Sequence, residues 1–283
     1  MAVAAALAFA GLPSFAWAVA AAEPPVEVRL ANGYWSEGKP RWFVSTKSDL
    51  GGIYIKPYFS FGYGLPHWIW AGVDVNATST IEFGQVYGGL RASLPVFDLA
   101  FGVRDAYSYW KNFLDPQATF ASNDLGGPGK NARYWAWEAE AVGVIPLPHS
   151  AILLNYIAVG LPDLPRDKYI YEETYRAIVA DRFFQVFRVA ALARLLREDA
   201  LKVGVLTELL TSTGRGQNVF RMGPAAALQL TDHIEALGTL SVVVSSPDRL
   251  GLALGAFGLG GLRYRWATGE RAPKFPWQGP MIP

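Results

Sequence analysis

Counted by twos, residues 250–266 fall into two rows. Leu250, Leu252, Leu254, Ala256, Gly258, Gly260, Leu262, Tyr264 and Trp266 form one, free of charge and ending in two aromatics. Gly251, Ala253, Gly255, Phe257, Leu259, Gly261, Arg263 and Arg265 form the other, ending in two arginines. Successive side chains of a strand point to opposite faces, so this period predicts a strand with one greasy side and one polar side.

The same period recurs along the chain. Ile53, Ile55, Phe59, Phe61 and Tyr63 oppose Tyr54, Lys56, Tyr58 and Ser60, and Ile69, Ala71, Val73 and Val75 oppose Trp68, Trp70, Asp74 and Asn76. Over 79–91, Ile81, Phe83 and Tyr87 read as the apolar row against Glu82, with Gln85 as the exception. Phe97, Leu99, Phe101 and Val103 then oppose Asp98 and Arg104; Trp135, Trp137, Ala139 and Ala141 oppose Glu138 and Glu140; Ile152, Leu154, Tyr156 and Ala158 oppose Asn155. Tyr171, Tyr175, Ala177 and Val179 oppose Glu172, Thr174 and Arg176, and Phe187, Val189, Ala191 and Ala193 oppose Arg188 and Arg194. Phe220 and Met222 oppose Arg221, and Leu240, Val242 and Val244 oppose Glu235, Thr239 and Ser241. Residues 192–210 also fit an amphipathic helix, but Val203-Gly204-Val205 and the alternating neighbours favour two strands meeting at Arg197-Glu198-Asp199.

One face of nearly every strand is thus free of charge while the other collects it. A soluble β-sandwich puts its charges on the outer faces and buries the apolar rows. A membrane barrel does the reverse, because a charge at mid-bilayer costs roughly 2–4 kcal/mol. The expected fold is therefore all-β, an antiparallel transmembrane β-barrel of about 12 strands over residues 52–266, or up to 14 if 23–51 contributes. Residues 23–51 hold two short strand patterns, 26–32 and 41–47, readable as a plug or as first barrel strands. Residues 108–131 lose the period, contain DLGGPGKN and form the longest loop; with 12 strands and both termini periplasmic, this loop falls on the periplasmic side. Residues 267–283 read as a proline-rich, irregular tail.

Composition narrows the setting. The 283 residues carry 25 Lys and Arg against 24 Asp and Glu, which suggests no nucleic-acid partner. Aromatics reach 14 %, charged residues only 17 %, and no cysteine is present, so disulfides and thiolate metal sites are excluded. Residues 1–22 read as a secretory signal cleaved after Ala20 or Ala22, although no basic residue precedes the apolar run. An uncleaved anchor helix is the alternative.

The inward rows supply the candidate site. Asp74, Glu82, Asp98, Arg104, Glu138, Glu140, Glu172, Arg176, Arg188, Arg194, Arg221, Glu235, Arg263 and Arg265 are expected to face the lumen, either pairing to fill it or lining a polar pore. Arg188, Arg194, Arg221, Arg263 and Arg265 are the candidate anion-attracting wall. Trp135, Trp137, Tyr264 and Trp266 are expected in an aromatic girdle, and Tyr171 and Tyr175 in a girdle or filling the lumen. His67, His149 and His233 all fall at turns, and neither a nucleophile–base pairing nor GxSxG is found, so no catalytic residue, metal or cofactor is expected. Asn76-Ala77-Thr78 reads as a chance sequon and GLGG as no nucleotide fingerprint.

The signal, the alternating strands and the aromatic-rich last strand over 52–266 resemble Gram-negative outer-membrane β-barrel proteins as a superfamily pattern. The last strand is similar to the C-terminal signal of such barrels, except that 17 residues follow Trp266. The resemblance implies a bacterial outer-membrane location, lipid and lipopolysaccharide contacts and a barrel-assembly partner. The function expected is a narrow porin-like channel for small polar or anionic solutes. The alternative is a non-conducting structural or adhesion barrel with a salt-bridged lumen, and a lipid-modifying enzyme stands third.

Overall fold

The computed structural model describes residues 39–109, 113–126, 133–195, 200–211, 213–231 and 233–268. The expected signal, the 26–32 strand and the tail beyond Thr268 lie outside the described residues.

Twelve strands close into an antiparallel barrel. They are β1 (Arg41–Gly51), β2 (Tyr54–Leu65), β3 (Ile69–Thr80), β4 (Phe83–Leu94), β5 (Phe97–Ser108), β7 (Arg133–Leu147), β8 (Ser150–Gly160), β11 (Phe183–Leu195), β12 (Leu201–Thr211), β13 (Val219–Gln229), β14 (Ile234–Ser245) and β15 (Phe257–Ala267). Each pairs with the next, and β1 closes the wall on β15 from Ser45↔Ala267 to Gly51↔Gly261. Three short strands, β6 (Phe113–Leu114), β9 (Tyr169–Glu172) and β10 (Ala177–Val179), form a separate sheet in the order β10-β9-β6. A single-turn helix, α1 (Gly251–Gly255), precedes β15.

The twelve are not the twelve expected. The wall begins at Arg41, so the 41–47 pattern is a first barrel strand, one of its two expected readings, and the pattern at 171–179 belongs to the small sheet instead of the wall. The two differences cancel in the count. Residues 192–210 are two strands paired from Gln185↔Thr211 to Leu195↔Leu201, with the connecting residues 196–199 outside the described set. The last strand is shorter than its pattern, because residues 251–255 turn into α1, where Gly251 has φ +67°. In β4 the expected phase is inverted: Val86 and Leu90 are exposed, while Phe83, Gln85 and Tyr87 are buried. Ser79 faces Gly84 across a two-residue turn, and directly paired residues share a face. The turn therefore moves the outward row from odd to even positions. The Thr80 hydroxyl holds that turn, accepting from the N–H groups of Glu82 and Phe83.

Elsewhere the outward rows are apolar and exposed, as at Phe59, Phe61, Val73, Leu99, Phe101, Met222, Leu240 and Leu262. The connections sort by end. Connections of two to five residues (66–68, 95–96, 148–149, 196–200 and 230–233) join strands at the end where β1 starts and β15 finishes. The other end carries 109–132, 161–182, 212–218 and 246–256 besides two tight hairpins. The connection after β5 thus lies opposite the end where β1 starts and β15 finishes, whereas the long loop at 108–131 is expected from the sequence on the side of the termini. Counting Arg41–Gly51 as a strand shifts every later connection to the other end.

Candidate functional site

Side chains of the small sheet pack into the loop end of the lumen. Ile170, Tyr175, Ala177 and Val179 of the small sheet and its hairpin pack with the inward residues Ala106, Tyr134, Ala136, Val159, Phe184, Val186, Leu210 and Val219 of the wall. Beyond this layer, Leu114, Phe120, Leu125, Tyr171, Ile178 and Leu250 form a second cluster that joins the three long loops. Tyr171 and Tyr175 are therefore buried in the cap, not in a girdle. Burial raises the phenol pKa of both, so their hydroxyls stay protonated. Tyr171 donates to the Leu254 carbonyl at 2.7 Å.

Charged groups fasten the cap to the wall. Arg104, on β5, donates to Glu138 of β7 at 2.8 Å and to Glu172 of β9 at 2.6 Å. It also reaches Gln85 at 3.1 Å and Thr174 at 2.9 Å. Glu172 is fully buried and accepts further from the Tyr134 hydroxyl at 2.7 Å and the Tyr175 N–H at 3.0 Å. Arg221, on β13, donates to the Gly255 and Arg176 carbonyls, both at 2.7 Å, and pairs with Glu208. Glu208 also takes Arg188 at 2.6 Å.

Arg176 is not on a barrel strand as expected. It sits at the tip of the β9–β10 hairpin with φ +49°, donates to the Ala253 carbonyl at 2.6 Å and lies 3.9 Å from Glu82. A side chain held at positive φ costs free energy that these contacts offset. On the outer layer, Arg215 pairs with Asp248, which also accepts from the Phe120 N–H at 3.0 Å.

Toward the turn end the lumen stays polar. Arg91, on β4, contacts Asp74 at 2.8 Å, Asp98 at 2.5 Å and, more distantly, Glu140 at 3.9 Å. Arg263 grips Asp49 with two hydrogen bonds of 2.7 and 2.9 Å, and Arg265 meets Glu235 at 3.2 Å. Arg194 serves the turn, donating to the Leu147 and Pro148 carbonyls. The five arginines expected as one anion-attracting wall are thus distributed among carboxylates and carbonyls and form no continuous basic face.

The sequence reading missed Arg91 because the inverted phase of β4 placed it outward. It missed Lys47 and Asp49 because β1 lay outside the expected barrel. The signal available was the alternation of Phe43, Ser45, Lys47 and Asp49 against Val44, Thr46 and Ser48, ending two residues before a Gly-Gly turn.

Outward aromatics gather at both ends. Trp135 and Trp137 lie toward the loop end with Tyr107 and Tyr109, and Tyr264 and Trp266 lie toward the turn end with Trp42 and Tyr63. Trp137 lies over Gly160, where an added Cβ would come within 2.0 Å of the indole Nε1.

His67 and His233 lie against consecutive carbonyls of β15. His67, in the β2–β3 turn at φ +60°, has Nε2 3.2 Å from the Trp266 carbonyl, so this nitrogen is the donor. Burial, helped by nearby Arg265, lowers its pKa to about 3. His233 donates from Nδ1 to the Arg265 carbonyl at 2.8 Å, and His149 is exposed in the β7–β8 turn. The described residues contain no cluster of His, Asp and Glu able to hold a metal ion. No protein-family model matches this chain, and no curated protein matches it either.

Proposed function

We propose that this chain is an outer-membrane β-barrel whose lumen is sealed at the loop end, a non-conducting barrel that presents its cap on the outer surface. One observation carries the sealed lumen: the apolar layer in which the small sheet packs directly onto the inward wall residues. The ion-paired lumen fits the same reading, because its charges answer one another. Membrane residence is supported by the exposed apolar rows, the aromatics at both ends and the segregation of long loops from short turns. On that reading the short turns are periplasmic, the cap is extracellular, and the barrel-assembly machinery and lipopolysaccharide are its partners. No catalytic activity is assigned.

Two measurements test it. Fractionation and heat-modifiable gel mobility should place folded protein in the outer membrane; recovery in the aqueous periplasm overturns that part. Planar bilayers holding refolded protein should stay silent, whereas discrete ohmic steps would restore the narrow-channel reading.

A further inference from the structure

The lumen retains a cavity of about 200 Å³ at the turn end, reached past His67 and the β4–β5 turn. Its polar side includes Lys47, Tyr58, Ser60 and Ser93, and its apolar side Val142 and Val144. The other cations on the lining are committed: Arg91 to Asp74 and Asp98, and Arg265 to Glu235. The carboxylates are committed too, since Asp74 also accepts from the Ser60 hydroxyl at 3.0 Å.

Lys47 differs. Its ammonium lies 4.3 Å from the centroid of the Tyr58 ring, and among the described residues no carboxylate oxygen lies within 4.0 Å of it. An ammonium with no carboxylate in contact, beside hydroxyls and facing an apolar wall, is a match for a small amphipathic anion.

We propose that this cavity binds a small organic monoanion, with its carboxylate on Lys47 and its apolar body against Val142 and Val144. Charge-assisted hydrogen bonds from Lys47 and the neighbouring hydroxyls fix the head group, and displacement of water from the valine side holds the body. Access from the periplasm rests on the membrane orientation proposed above; the binding itself does not.

The test uses full-length protein refolded into nanodiscs of neutral phosphatidylcholine, with calorimetric titration of hexanoate and of uncharged hexanamide. Hexanoate should bind about tenfold more tightly or better, the scale of one charged hydrogen bond. Lys47→Met should remove that preference and Lys47→Arg should keep it. Lys56→Met, which deletes the ammonium 5.0 Å from the same Tyr58 ring, should leave it intact. Equal binding of the two probes by the parent protein overturns the proposal without needing any variant. So does an undiminished preference in Lys47→Met that retains heat-modifiable mobility. Neither result bears on whether the barrel is sealed, which the bilayer recordings read separately.

Discussion

Glu172 and His67 show how much one buried polar group decides. Glu172 is fully buried, and its charge is answered by Arg104. Removing one partner of such a pair costs about 3–5 kcal/mol where the other is left uncompensated, and less here because Arg104 keeps Glu138. Glu172→Leu is therefore expected to loosen the cap while the wall persists. Brief trypsin treatment of the folded protein should cut at Arg166, Lys168 or Arg182 faster than in the parent; equal protection would show that Arg104 does not hold the cap. His67 gives a pH prediction with a defined sign. Its pKa of about 3 lies below the ordinary 6.5, so between those values the unfolded chain binds more protons than the folded one. Stability must therefore fall as pH falls from 6.5 toward 3, by at most about 1.4 kcal/mol per pH unit for one proton. Urea midpoints of lipid-refolded protein at pH 7 and pH 4.5 should differ, and His67→Gln should narrow the difference. Which residues are charged and inward was largely readable from alternation, as at Asp74, Arg104 and Glu138. Which partner each one meets was not, because Arg104 and Glu172 are 68 positions apart and join only when a loop folds back into the mouth.

At the level of elements, alternation is local information, and it failed where turns or tertiary context intervene. The inverted phase of β4 came from one two-residue turn. β9 and β10 alternate like wall strands because their small sheet also has two environments, one face on the wall residues and one in the outer cluster. Residues 251–255 continue the pattern of β15 in sequence, yet in the fold they must place carbonyls on Tyr171, Arg176 and Arg221. On the proposed sealed reading the β9–β10 segment carries the seal, so deleting residues 162–181 and bridging the gap with a short Gly-Ser linker should convert a silent barrel into a conducting one. Bilayer recordings that remain silent, with heat-modifiable mobility retained, would place the seal elsewhere in the lumen. Gly160 tests a smaller feature: Gly160→Val forces the Trp137 ring off the wall, and the apparent melting temperature in detergent should drop.

For the whole molecule, the decisive property is which side of the wall is greasy. Phe101, 57 % exposed, projects from the middle of β5 into the apolar belt, while Arg104 three positions on is buried. Phe101→Arg should cost roughly 2–4 kcal/mol if that face meets hydrocarbon. In detergent-free water the same change would be nearly neutral, so comparing refolding yields in lipid vesicles with solubility in buffer separates the two environments. The exposure of the outer rows and the sorting of connections by length follow from the whole wall and were beyond any single strand.

The cap is assembled from 113–126, 161–182 and 246–256, three segments far apart in the chain. The last supplies Leu250 and the carbonyls of Ala253, Leu254 and Gly255, and it directly precedes the strand that closes the cylinder. Maturation is therefore expected to be sequential, with the mouth latched only once the final hairpin has arrived. Time-resolved trypsin sensitivity during refolding should show the 161–182 cleavage sites becoming protected no earlier than the gel shift of the finished cylinder. Earlier protection would show that the stopper assembles by itself.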